Sequence, residues 1–148
     1  MKKRKKKSNV KKLQEKAHKL WWEYCFKRDG GICQVRKYFP GIKINHSEVI
    51  QIDHCFSRMN REIFLDVANG TTVCGTCNMI KGSGKIGASR RDAVTVAVHE
   101  IVKKREGEDT YKRLFEVGSK CGAFLDWKRI SWLELQIQIL EEMLNENT

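Results

Sequence analysis

The chain has 148 residues, 41% hydrophobic and 32% charged, enough apolar material for one ordinary domain with its own core. Its 29 Lys and Arg against 18 Asp and Glu leave a net charge of +11, which points to a polyanionic partner, nucleic acid first, with a merely solubilising basic surface as the bland alternative. No apolar run approaches the roughly 18 residues that span a bilayer, and the basic opening MKKRKKKSNVKK has no apolar segment behind it, so neither a membrane protein nor a secretory signal is expected. Six Cys could form three disulfides in a secreted protein, but one pair is Cys-x-x-Cys and the rest are scattered. Reduced thiols in a cytoplasmic protein fit that spacing better.

In chain order, residues 1–12 read as a self-repelling basic arm, a solvated tail that can also bind phosphate or resemble a nuclear localisation signal. From about Val10 to Arg28, Leu13, Ala17, Leu20, Trp21, Tyr24 and Cys25 recur at three- and four-residue steps, which predicts a helix closed by Asp29-Gly30-Gly31. Trp21 and Trp22 are read as core anchors before base-stacking platforms. Between Ile32 and Val49 the pattern suggests a hairpin or extended segments turning at Pro40-Gly41 and running through Ile50 and Ile52 into Asp53. Residues 56–68 read as a loop with a short helical turn near Arg61–Asp66, Thr71–Cys74 as a strand after the Asn69-Gly70 turn, and Thr76–Ile80 as a helix. Three further helices are predicted over Ser89–Lys104, Thr110–Val117 and Ser131–Asn145. The last carries Ser131 and Glu134 as a capping box and Leu133, Ile137, Leu140 and Leu144 as its buried stripe. Four Glu and no Lys or Arg in the final fifteen residues keep that helix away from a polyanion.

The chemistry gathers between Asp53 and Lys81. His54 is able to accept a proton near neutral pH, and Asp53 offers a hard oxygen suited to Mg²⁺. Neighbours on a strand face opposite ways, so both serve one site only if the strand end is irregular. Asn78 has a carbonyl oxygen to offer a metal, and Lys81, one helical turn on, a cation for phosphate. Asn69 is equally at home capping its turn. Arg58 and Arg61 are candidate phosphate clamps, or simply loop residues in solvent. Lys85, Arg90 and Arg91 extend the basic run.

Asp53-His54, Asn69 and Cys74-x-x-Cys77-Asn78-x-x-Lys81 together resemble the HNH nuclease motif, the ββα-metal finger. The resemblance implies His54 as general base, Asn69 as the brace of its loop, and Asp53 with Asn78 as ligands of Mg²⁺ or Mn²⁺. It implies an α+β fold, a small finger at about 44–85 within a mainly α-helical domain spanning 13–148. The wider layout is similar to the phage NinG (Rap) recombination nucleases. Its pieces are the aromatic helix ending Lys27-Arg28-Asp29, Cys33, Ser83-Gly84, and Trp127 before a terminal helix. That likeness implies branched DNA as substrate and DNA recombination as the setting.

Two departures stand out. Zinc-containing relatives carry a second Cys-x-x-Cys, but Arg36 stands where the partner of Cys33 belongs. Cys33, Cys74 and Cys77 make three ligands where structural zinc takes four. His46, Cys25 or Cys55 completes the set, or there is no zinc. Asp53 is the second departure, since members of the subfamily often have Gly before the His. The expected activity is metal-dependent hydrolysis of DNA phosphodiesters, with a homodimer as the form that would cut both strands of a junction. The alternative is a non-catalytic, zinc-stabilised nucleic-acid-binding module. A thiol oxidoreductase lacks the βαβ context that its Cys-x-x-Cys needs.

Overall fold

The computed structural model describes residues 8–82, 88–120 and 124–146. Lys85, Ser83-Gly84 and residues 1–7 of the basic arm lie outside them. Helix α1 spans Asn9–Arg28, so its first turn takes up residues that the charge pattern assigns to the arm. Ser8 caps it, its Oγ accepting from the Lys11 amide at 3.3 Å. Gly30 and Gly31, at φ 70° and 65°, turn the chain away after Asp29.

The expected extended run after Ile32 is instead opened by a short helix, α2, Gln34–Tyr38. Period-two patterning fails there because the segment is held by local anchors. Val35 is fully buried, and Gln34 Nε2 donates to the carbonyls of Asp29 (2.8 Å) and Ile32 (2.9 Å). Pro40 stops it, since the residue before proline is steered out of the helical region. Strand β1, Ile50–His54, then pairs antiparallel with β2, Gly70–Cys74, in a register that sets Asp53 opposite Thr71 and His54 opposite Gly70. The helical turn of the intervening loop falls at Val67–Asn69 rather than near Arg61–Asp66. Helix α3, Gly75–Gly82, follows β2 directly, giving the strand–loop–strand–helix order expected. Helices α4 (Ala88–Glu106), α5 (Glu108–Gly118) and α6 (Ile130–Glu146) complete a mixed fold of helices around a two-stranded sheet. Helix α6 starts before Ser131, with the Leu133 amide on the Arg129 carbonyl at 3.1 Å, so Ser131 lies inside the first turn and is not its cap.

Two apolar clusters form the core. One joins Val35, Val73 and Ile80 to Val94, Val98 and Val102 of α4 and Leu114 of α5. The other joins Ala17, Trp21 and Cys25 of α1 to Phe64, Leu65 and, on α6, Ile137 and Leu140. The α6 stripe of Leu133, Ile137, Leu140 and Leu144 is buried as its spacing predicts. Trp21 is a core residue, 1% exposed, whereas Trp22 is 37% exposed and stacks on Phe26.

The turn before β2 is held by two arginines. Arg28 donates to the carbonyls of Val67 and Gly70 (both 2.7 Å), and Arg105 to those of Ala68 (3.1 Å) and Gly70 (2.9 Å). Carbonyls of this 3-10 turn and of Gly70 are thereby held from α1 and α4 at once. Asp29 balances the cations and accepts from the Thr72 amide at 2.9 Å. Burial works against its ionisation, but the Arg28 contacts prevail and hold the carboxyl below its ordinary range. Gly70 is needed for closeness. A Cβ there would lie 2.6 Å from Cys25 Sγ and 2.8 Å from the Trp21 ring. No described helix is long and apolar enough to cross a membrane.

Candidate active site and metal centre

The end of β1 and the exposed side of α3 enclose a cavity of about 570 Å³ lined by Asp53, His54, Arg58, Asn78, Lys81 and Thr95, among others. Strand alternation explains how adjacent residues share it. Gln51 and Asp53 occupy one face of β1 and reach α3: Asn78 Nδ2 donates to Gln51 Oε1, and Lys81 Nζ lies 2.6 Å from Asp53 Oδ2. His54 faces the other way, toward α1, and still borders the cavity because the strand ends there.

His54 is clamped. Its ring stacks between Trp21 (centroids 4.4 Å apart, 11° between planes) and Phe64 (4.8 Å, 22°). Nε2 is 2.9 Å from the Phe64 carbonyl. A carbonyl only accepts, so Nε2 bears the proton and Nδ1 keeps its lone pair. Burial, the largest influence, pushes the imidazole pKa down to about 4, so the ring is neutral at physiological pH.

Asn69 holds the loop that carries Phe64. It is fully buried; Oδ1 accepts from the Phe56 amide (2.8 Å), and Nδ2 donates to the carbonyls of Ile63 (3.1 Å) and Phe56 (3.4 Å). Its own carbonyl accepts from the Cys55 amide at 2.7 Å. One side chain thus spans both ends of the segment between His54 and β2, and the turn-capping role is the lesser part of what it does.

The Asp53 carboxyl is raised by burial, with Lys81 opposing. Lys81 also donates to the His54 carbonyl at 2.5 Å, so the lysine read from sequence as a phosphate contact is engaged with the carboxylate. Asn78 Oδ1 has no hydrogen-bond partner among the described residues, because Gln51 fixes the amide with its nitrogen on the strand. Gln51 is a site residue that sequence reading missed. Its signal was available: it stands two residues before Asp53 on a strand and therefore on the same face.

The remaining basic residues are dispersed. Arg61 lies over the rings of Phe64 (4.6 Å) and Trp127 (5.1 Å) and does not line the cavity. Arg90 borders a separate hollow with Lys43, Asn45 and Met79, and Arg91 pairs with Asp92 at 3.5 Å. Of the candidates within the described residues, Arg58 and Lys81 are the two that the fold gathers at His54.

The buried side of α3 carries a second cluster. Cys33, His46, Cys74 and Cys77 bring their ligand atoms within 4.8 Å of one another. Cys33 Sγ is 3.9 Å from Cys77 Sγ, and His46 Nδ1 is 3.7, 3.4 and 3.5 Å from the sulfurs of Cys33, Cys74 and Cys77. Zinc bonds of about 2.3 Å to sulfur and 2.0–2.1 Å to nitrogen at tetrahedral angles require S···S near 3.8 Å and S···N near 3.6 Å. The donor set therefore fits a tetrahedral soft metal such as zinc. The Cys77 hydrogen bond pulls the Cys33 thiol well below its ordinary pKa, and the same contact pushes Cys77 up. His46 is the fourth donor. Cys25 and Cys55 stand elsewhere, their thiols pushed up to about 12 by burial.

No protein-family model, no curated protein and no solved structure matches this chain.

Proposed function

We propose that the chain is a metal-dependent DNA endonuclease of the HNH type, with His54 as general base. The observation that carries this reading is one cavity lined by His54, Asp53 and Asn78, with Arg58 and Lys81 beside them.

His54 takes the proton of the attacking water at Nδ1 while Nε2–H stays on the Phe64 carbonyl. A pKa near 4 makes a weak base, but a phosphodiester anion drawn in beside it raises that pKa, and the ring needs no proton removed beforehand. Trp21 and Phe64 fix the ring's plane, and Asn69 fixes the loop on which Phe64 sits. Arg58 and Lys81 supply positive charge for the scissile phosphate. Asp53 and Asn78 offer the hard oxygen set that Mg²⁺ or Mn²⁺ prefers. A divalent cation bound there would neutralise charge on the phosphate and on the leaving 3′ oxygen. Asp53 then has to be shared with, or released by, Lys81. The net charge of +11 supports a DNA partner, and branched DNA follows from the family likeness alone.

The Cys₃His cluster by itself favours a second reading, a zinc-stabilised nucleic-acid-binding module. One experiment separates them: supercoiled and four-way-junction DNA incubated with Mg²⁺, Mn²⁺ or no added divalent ion, with zinc quantified on the same preparation. Nicking that needs Mg²⁺ or Mn²⁺ supports the nuclease. Zinc-loaded protein that leaves both DNAs intact under every condition leaves only the module.

A further inference from the structure

A cavity of about 420 Å³ between α2 and the C-terminal turns of α4 has no part in the proposed chemistry. Its floor and wall are apolar: Tyr38, which is 56% exposed, Phe39 and Ile101. Lys37 and Lys104 provide its unpaired cations, since Arg28 and Arg105, which also line it, are held by Asp29, Glu106 and the carbonyls of the turn before β2. Among the described residues neither Lys37 nor Lys104 is in an ion pair, and Lys37 Nζ rests 4.9 Å from the centre of the Tyr38 ring. The one carboxylate lining the cavity, Asp29, is already taken by Arg28 and by the Thr72 amide. Arg105 Nη1 is buried there without a hydrogen-bond partner, 3.5 Å from Asp29 Oδ1 but making no hydrogen bond to it.

We infer that this cavity binds one unpaired nucleotide, its base against Tyr38 and Phe39 and its phosphate toward Lys37 and Lys104. A phosphate alone would not need an aromatic floor, and an apolar ligand would not need two unpaired cations. A nucleotide has both ends, and the volume falls within the 300–1,000 Å³ or so of small-ligand pockets. The base must be unpaired, because stacked and paired bases do not present a face to a side pocket. The site is distinct from the one around His54. Thr95 borders that cavity, whereas Lys104 borders this one nine residues later on α4. Nine residues are about 14 Å and two and a half turns, which puts the two on opposite sides of the helix. Occupation of one leaves the other open, so the inference does not depend on the nuclease reading.

The test is fluorescence anisotropy on the full chain as purified, without added Mg²⁺, using fluorescein-labelled oligo(dT) and a blunt hairpin duplex of equal charge. The variants Lys37→Glu/Lys104→Glu and Tyr38→Ala alter exposed side chains and leave both metal clusters alone. The double variant is expected to weaken oligo(dT) at least tenfold and the duplex less than threefold. Tyr38→Ala should weaken oligo(dT) by about 5- to 150-fold, the range of one base stack, and Tyr38→Phe should restore it. Competition with dTMP separates the sources of the nucleotide: displacement places a free nucleotide in the cavity, and none, with the variants still impaired, places one carried by a strand. Parent affinity in both variants overturns the inference. Equal losses on oligo(dT) and duplex also overturn it, since the lysines would then be general phosphate contacts. An acidic, Phe-containing peptide that binds in a Tyr38-dependent way where oligo(dT) does not would assign the cavity to a protein partner and overturn it too. A preparation that cuts no DNA yet shows the oligo(dT) pattern would remove the nuclease reading and keep this one.

Discussion

Helix α3 separates two clusters of opposite character. On its buried side, Cys77 joins Cys33, His46 and Cys74 in a closed set of four soft donors at tetrahedral spacing. On its other side, Asn78 meets Asp53, His54 and Lys81 around an open cavity with hard oxygen donors. Cys77 and Asn78 are adjacent, about 100° apart on the helix, so one element serves both without either intruding on the other. On the proposed reading, the first cluster holds the fold and the second is free to react. A structural metal fills its coordination shell with protein, and a catalytic one leaves room for substrate. Loss of the first should therefore unfold the chain around α3, and loss of the second should leave it folded.

The largest effect should follow removal of the soft cluster. Structural zinc in small fingers contributes apparent binding free energies of about 10–16 kcal/mol, most of it expressed as folding. Cys77→Ser, or exhaustive chelation, is expected to abolish cooperative thermal unfolding of the 50–82 region and release one equivalent of zinc per chain, read by calorimetry and metal analysis. A folded, zinc-free chain would dissolve the distinction. Next comes His54→Ala, expected to cut cleavage by about 10² to 10⁴ while DNA affinity stays within threefold of the parent. Cleavage at the parent rate would remove His54 as base. Asn69→Ala lies between the two clusters in effect. It strips three buried hydrogen bonds from the loop, and about 3 kcal/mol of stability should go with them, measured by urea denaturation.

The smallest effect is in pH. Folding lowers the His54 pKa from 6.5 to about 4, so the unfolded chain binds the proton first. This contribution is fully present above about pH 7 and is lost as pH falls toward 4, reaching about 2 kcal/mol at pH 5. Subtracting the profile of His54→Gln isolates it. Coincident profiles would mean that the imidazole is more hydrated than its stack between Trp21 and Phe64 implies.

Much of this was legible beforehand where the signal is local. The α1 and α6 stripes, the two strands and the short helix after Cys74 follow from periodicity and turn residues, because each element's pattern reports the face it buries. The stretch 32–49 misled, because α2 is five residues long and is held by Gln34 and Val35 rather than by a repeating pattern. Asn69 was visible as a loop residue, but not the three bonds by which it ties the segment together.

By itself the sequence determined the inventory: a basic chain, an Asp-His pair at a strand end, an Asn-x-x-Lys on a helix, and three cysteines short of one ligand. Only the tertiary structure decided among His46, Cys25 and Cys55. His46 is 28 residues from Cys74 yet 3.4 Å from its sulfur, whereas Cys25 is committed to the close approach under Gly70. It also turned Lys81 from a free cation into the partner of Asp53, and gathered Lys37, Tyr38 and Lys104 around one hollow. Ligand sets and pockets are built from residues distant along the chain, and their meeting depends on how whole elements pack, which no local pattern encodes.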